Sequence, residues 1–543
     1  MTDTPIQMPV RRIEYAGALV FCAAFSALAI GWSWHNHALL NYGDAVAHLE
    51  IARRVIDGHN AGYKQLGSVW LPLPHILLIP FVAVYSWWAN GIAGLIPSAC
   101  AYLLGCAGIY RLARQWLTFP AATIALVFFA INPNLLYLQT TAMTEPLFLC
   151  ELIWAVVWLV EWHRSLDAAP QRSAPLLWRI AFILAAAVFT RYDGWILALI
   201  AWTSICVVLM RRGQLRSPAF WLATIVVVSA PAIWFIYNAA IFGDWLDFAR
   251  GPYSARAIEI RTASPGSGPP HPGWHDPWVS LLFFVRTAEL DASAELWGNR
   301  LLVLSFLGTA IGCFLARRRA FLWALLLWLP MPFYAYSIAY GSVPIFIPKW
   351  WPHSWYNTRY GMELLPAFAL SLGFIAHLVL SVLREFKPQW VRYAAGLICA
   401  LAVWNAWKVI AEKPLTYIEG VKNIEARRPL EQQIPPVLRK LLATRPKGLV
   451  LMKTSVYPNL VAFTGIPLRQ TINEGDGPLY TSALESPAQN AAIIVAFDGD
   501  EIDQAVKKHP ENLTEIGRYA APGQPTATVY VSDTPVVNSR QQQ

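Results

Sequence analysis

The sequence predicts a mainly α-helical polytopic membrane protein of about 11 spans, with a small soluble α/β domain at its C-terminal end. Three observations predict it. Hydrophobic residues make up 56% of the 543 positions and charged ones only 14%, a balance that lipid solvates better than water. Apolar runs such as 16–34, 92–110, 121–138, 221–237 and 362–383 approach the ~20 residues with which a helix crosses hydrocarbon. From about residue 411 the runs stop and charged, Pro-rich sequence takes over.

The net charge of +9 comes with basic residues in short loops, so it orients the chain in a membrane rather than binding nucleic acid. With the N-terminus inside, Arg11/Arg12, Arg111/Arg114, Arg164/Arg172/Arg179, Arg211/Arg212/Arg216, Arg317/Arg318/Arg319 and Arg384/Lys387/Arg392 all fall on the cytoplasmic side. The first helix reads as uncleaved. One segment decides the parity. Residues 71–88 are apolar, but Pro72, Pro74 and Pro80 interrupt a continuous helix, so the segment is expected to be re-entrant or interfacial within an outside loop 35–91. Residues 1–411 then form the membrane domain and 412–543 an extracytoplasmic α/β domain. In the latter, 448–452, 491–497 and 526–531 read as strands and 500–508 as a helix. All seven cysteines lie in or beside apolar segments, so no disulfide framework or zinc pattern arises.

Five polar clusters gather on the face this topology places outside, where ionisable groups near lipid are functional candidates. In the first, Asp44 begins an amphipathic helix with apolar positions 45, 49, 52 and 56, and His48, four residues on, shares its face. Asp44 is a candidate base or a cap favouring the helix dipole. Trp70 and His75 flank the Pro-stiffened segment, where Trp70 also suits an interfacial anchor. Glu145 stands beside Pro146, where Thr144 or Glu145 would cap a helix. Arg191, Tyr192 and Asp193 lie between two apolar runs, and Arg191 with Asp193 reads equally as a local ion pair. The last cluster runs from Lys349 to Arg359 and Tyr360 through three tryptophans and His353.

Together these groups suit transfer chemistry. A carboxylate can take a proton from an acceptor hydroxyl, guanidinium and ammonium groups can hold a phosphate, and aromatic faces can stack on sugars or line a lipid groove. A transporter or flippase is the competing class, but transporters keep polar groups at mid-membrane and often repeat their halves. No repeat is visible here. A scaffold whose outer domain does the work would not need so many spans.

The order of motifs resembles the GT-C superfamily of polyprenyl-phosphate-dependent glycosyltransferases, in particular the bacterial aminoarabinose transferase and protein O-mannosyltransferase group. The likeness rests on Gly43-Asp44, the Pro-rich Leu71–His75, Glu145-Pro146, Arg359-Tyr360 and Asn238 with Phe242-Gly243-Asp244, and spans roughly 10–385. It implies an inverting sugar transfer from a polyprenyl-phosphate donor to a lipid, glycan or protein hydroxyl. Asp44 would be the base, Glu145 a second acid in the same cavity, and Arg359, Tyr360, Arg191 and Lys349 the donor-phosphate residues. His48, His75, Trp70, Tyr192 and Asp193 would support them. Two departures stand out: Lys64 lies eight residues before Pro72, and Ala45 follows Asp44 where some members have a second acid. No cofactor motif is present; the one set left open for a divalent cation is Asp44, His48 and Glu145.

Overall fold

The computed structural model describes residues 12–262, 269–316, 319–455 and 457–534. Arg11, Arg317 and Arg318, counted above among the basic residues, lie outside them. Hydrocarbon offers no water to satisfy backbone amides, so the apolar runs fold as helices. Among the described residues nine helical stretches are long and apolar enough to cross a membrane: Arg12–His35, Ile92–Ala113, Glu145–Ala168, Pro170–Thr190, Asp193–Arg211, Pro218–Phe242, Ala320–Tyr340, Thr358–Phe386 and Pro388–Thr444. Three shorter apolar helices, Pro72–Val82, Phe119–Ala130 and Arg300–Leu315, accompany them. The expected count of about 11 exceeds the nine by the runs that hold Phe119–Ala130 and Arg300–Leu315, whose helices are shorter. The chain is thus a multi-pass integral membrane protein.

Local chemistry explains where helices break. The run 121–138 is two helices, Phe119–Ala130 and Pro133–Leu138, because Asn132 caps the second through its side chain and Pro133 takes its first position. Pro72–Val82 has 11 residues with Pro80 inside; at ~1.5 Å per residue it is too short for a ~30 Å core.

The chain divides into two compact units, one of Met1–Asn36, Ser68–Pro74 and Leu95–Glu419, the other of His37–Gly67, His75–Gly94 and Gly420–Gln543. The division differs from a boundary at 411/412, since most of the loop 35–91 groups with the C-terminal segment. In the second unit a five-stranded sheet has the order β2-β1-β3-β5-β4, with β1 Val450–Met452, β2 Thr471–Ile472, β3 Ile493–Phe497, β4 Leu513–Tyr519 and β5 Ala527–Ser532. β1 runs parallel to β2 and β3, and β5 antiparallel to β3 and β4. The helix Glu501–Lys508, capped by Asp500, lays Ile502 and Val506 on the sheet core beside Leu451, Ile494 and Ala496.

The helix Gly43–Asp57 buries Ala45, Leu49 and Ala52, whereas Ile56 is exposed. Within the second unit it is bonded to the C-terminal segment. Asp57 Oδ2 accepts from the Leu468 amide at 3.3 Å, and the His59 ring meets the Thr471 carbonyl at 2.8 Å. Arg427 Nη2 donates to the carbonyls of Leu40 and Asn41 at 3.1 and 2.9 Å. On the same helix Glu50 is buried and Arg54 Nε stands 3.8 Å from its carboxylate. Desolvation outweighs that attraction and pushes the Glu50 carboxyl up to about 7.

An acid whose folded value is raised keeps its proton longer in the folded state, so its ionisation removes stability as pH climbs toward that value. Glu50→Gln should therefore leave stability near pH 4.5 little changed and raise it above pH 7 by up to ~3 kcal/mol, at ~1.36 kcal/mol per pH unit, with the melting temperature rising in step. A melting series in detergent across pH 4.5–8 checks this; a pH-independent effect contradicts it.

Candidate active site

The site residues of the first unit come from helix ends. Glu145 is the first residue of the helix Glu145–Ala168, with Pro146 in its first turn. Neither expected cap operates there: Thr144 is itself α-helical in its backbone and makes no side-chain cap bond, and Glu145 points to arginines instead. Arg191 ends the helix Ser173–Thr190 in an extended conformation while its amide still bonds Ala187. The return into the next helix is so close that a Cβ on Gly194 would stand 2.1 Å from the Ala187 carbonyl oxygen, so only glycine fits. Phe346 and Tyr356 pair as a short antiparallel bridge, after which Asn357 takes a left-handed turn into the 3₁₀ segment Thr358–Leu364 that carries Arg359 and Tyr360.

These ends meet in one buried ion cluster. Glu145 Oε1 accepts from Arg359 Nε at 3.0 Å and from Arg191 Nη1 at 3.3 Å. Arg191 also donates to Thr144 Oγ1 at 3.0 Å, Asp193 Oδ2 at 3.2 Å and the Tyr334 hydroxyl at 2.7 Å, and stands 3.2 Å from Glu363. The local Arg191–Asp193 pair exists, but it is one contact among five. Arg359 Nη1 donates to Glu419 at 2.8 Å. The Tyr360 ring has the Arg191 and Arg359 guanidinium carbons 4.9 and 5.0 Å from its centroid, a cation–π arrangement, and stacks on Tyr334.

Carboxylates outnumber guanidiniums here. Glu145, Asp193, Glu363, Glu419 and Asp291 are all buried around Arg191 and Arg359. Asp291 lies against Gly361, where an added Cβ would come 2.6 Å from its Oδ2, and neither Asp291 oxygen has a hydrogen-bond partner among the described residues. Burial, then the charges of Glu419 and Glu145, push its carboxyl well above the usual range.

Other expected residues lie elsewhere. Lys349 is exposed and paired with Glu295. Tyr192 donates to the Val69 carbonyl at 2.7 Å and stacks on Phe248, next to the half-buried Trp70. Asp44, His48 and His75 belong to the second unit. There His48 Nδ1 and His75 Nε2 are 2.8 Å apart, and the charge of Asp44 acts on the Arg427 guanidinium. Asp44 is the second residue of its helix, which has Tyr42 at the cap position with no side-chain bond. Among the described residues no three His, Cys, Asp or Glu side chains stand together as a metal site.

Sequence reasoning missed Glu363, Tyr334, Asp291 and Glu419. An ionisable residue inside an apolar run is itself a signal, and it would have found Glu363. A separate cavity of ≈ 1250 Å³ in the same unit is lined by Ile200, Val207, Leu281, Trp323 and Ala335, with His163, Arg211 and Arg212 also on its wall; Glu145, Arg191, Tyr334, Arg359 and Tyr360 are not among its lining residues.

Neither a family model nor a curated relative matches the sequence. Solved structures do match in fold. ArnT from Cupriavidus metallidurans bound to undecaprenyl phosphate aligns with a TM-score of 0.57 at 12% identity, covering 94% of this chain and 98% of that one. The same protein in its apo state gives 0.54 at 13% identity, over 95% and 98%. The archaeal oligosaccharyltransferase AglB from Archaeoglobus fulgidus, in complex with an inhibitory peptide and a dolichol-phosphate, gives 0.49 at 13% identity, over 96% and 75%. The chain has the fold of ArnT along nearly its whole length, and the expected GT-C likeness holds at the level of fold.

Removing one member of a buried ion cluster leaves the others uncompensated, at a cost of ~3–5 kcal/mol, whereas an exposed pair contributes about 1 kcal/mol or less. Arg359→Gln should lower the melting temperature in detergent markedly, and Lys349→Gln should leave it nearly unchanged. Equal effects would contradict the cluster's part in stability.

Proposed function

We propose that this chain is a membrane glycosyltransferase that moves a sugar from a polyprenyl-phosphate donor to an acceptor hydroxyl on the extracytoplasmic face, with its N-terminus in the cytoplasm. The observation that carries the proposal is the full-length likeness in fold to ArnT solved with undecaprenyl phosphate. Two features of the chain support it. A pair of guanidiniums fixed at helix ends beside an aromatic ring suits a phosphate head, and a mostly apolar cavity of ≈ 1250 Å³ elsewhere in the same unit has room for a lipid tail. The cluster's residues sit at helix ends rather than on helices broken at mid-membrane, which favours a transferase over a transporter.

In this mechanism the acceptor oxygen attacks the anomeric carbon and the bond from that carbon to the phosphate oxygen breaks, inverting the centre. The lipid phosphate leaves with the bonding electrons, and Asp44 takes the acceptor proton. Arg359 and Arg191 meet the developing charge on the phosphate, and Tyr360 presents its ring beside them. Glu145 acts by holding both arginines. Lys349 is the remaining candidate for the donor phosphate, His48, His75, Trp70, Tyr192 and Asp193 are supporting residues, and the acceptor is a lipid, glycan or protein hydroxyl.

General-base catalysis contributes ~10²–10⁴-fold. Asp44→Asn should reduce transfer by that factor while the protein reaches the membrane in normal amount. The assay follows release of undecaprenyl phosphate, by mass spectrometry, from undecaprenyl-phosphate-linked sugars extracted from producing cells. An Asn variant of full activity removes Asp44 from the mechanism.

A further inference from the structure

We infer that Glu419 is a positioning residue that orients Arg359 toward the donor phosphate, an inference that rests on the role proposed for Arg359 above. Glu419 is 1% exposed and both its oxygens accept hydrogen bonds. Oε1 accepts from Arg359 Nη1 at 2.8 Å and from the Asn357 amide at 2.9 Å. Oε2 accepts from the Thr358 amide at 2.9 Å and from Thr358 Oγ1 at 2.5 Å. The left-handed turn at Asn357, which has no side-chain cap bond, aims both amides at this one carboxylate. A negative charge there also suits the amide-rich start of the 3₁₀ segment.

Arg359 is thereby gripped at two nitrogens, Nε by Glu145 and Nη1 by Glu419, and that fixes the plane of the guanidinium. A planar donor fixed before its ligand arrives loses less freedom on binding. Glu419 is itself anchored. Three residues earlier, the Thr416 amide and hydroxyl bond Asn134 Oδ1 at 2.9 and 2.8 Å, and Asn134 donates to the Asp291 carbonyl at 2.9 Å. Glutamine cannot replace this carboxylate, because its NH₂ would face at least one of four donors.

The test uses the full chain in detergent and two probes with the same tail, undecaprenyl phosphate and undecaprenol. Glu419→Gln should weaken undecaprenyl phosphate about tenfold, the scale of a lost charged hydrogen bond, and leave undecaprenol binding unchanged. Thr358→Val, which loosens the grip while keeping the charge, should weaken the phosphate probe ~3-fold and serves if Glu419→Gln does not fold. Equal weakening of both probes means Glu419 only supports the fold, which overturns the inference. So does unchanged phosphate binding in a background where Arg359→Lys weakens it. If Arg359→Lys itself leaves phosphate binding intact, the proposed role of Arg359 is what fails.

Discussion

Everything in the membrane-spanning unit answers to one constraint: a charge taken out of water must find its partner inside the protein. Glu145 Oε1 is the point where that constraint is met, shared by guanidiniums that come from 46 and 214 residues along the chain. Three helix ends are fixed by it. The extended backbone at Arg191, the glycine at 194 that lets two helices turn back closely and the glycine at 361 beside Asp291 are local conditions for bringing those charges into range. The apolar runs alone would make a bundle. The ion cluster specifies how its ends are joined.

The second unit follows a different logic. Its sheet has an ordinary apolar core, and what it adds is attachment of the first loop. Bonds from Leu468, Thr471 and Arg427 reach Asp57, His59 and the backbone just before Gly43. The C-terminal segment thus braces the helix that carries Asp44 and His48. Those bonds go with the burial of most of this amphipathic helix.

Much of this was legible in the sequence, and the residues say why. Spans were visible because a run of apolar residues has one stable outcome in lipid. Three prolines suggested an interrupted segment, but the helix Pro72–Val82 runs on through Pro80 and it is its length that falls short. β1, β3, β5 and the helix after Asp500 were visible from their apolar and alternating patterns. β2 escaped because it has two residues, and β4 because it is polar, largely exposed and interrupted by a register shift between Glu515 and Gly517. In the site, Glu145, Arg191 and Arg359 were visible as charges beside spans. Their mutual pairing was not, since contacts across so many residues leave no local pattern. Glu419 was hidden for the same reason, lying in charged sequence that resembles any solvent-exposed helix.

The mostly apolar cavity has a practical corollary. A recess of ≈ 1250 Å³ takes up whichever amphiphile surrounds the protein. If it holds the donor's tail, as the proposed function has it, alkyl chains of an extraction detergent compete with a long isoprenoid for the same space. Affinities for a lipid probe are then expected to shift with the solubilising medium, and a nanodisc of native lipid and a maltoside micelle present two different competitors at the same wall.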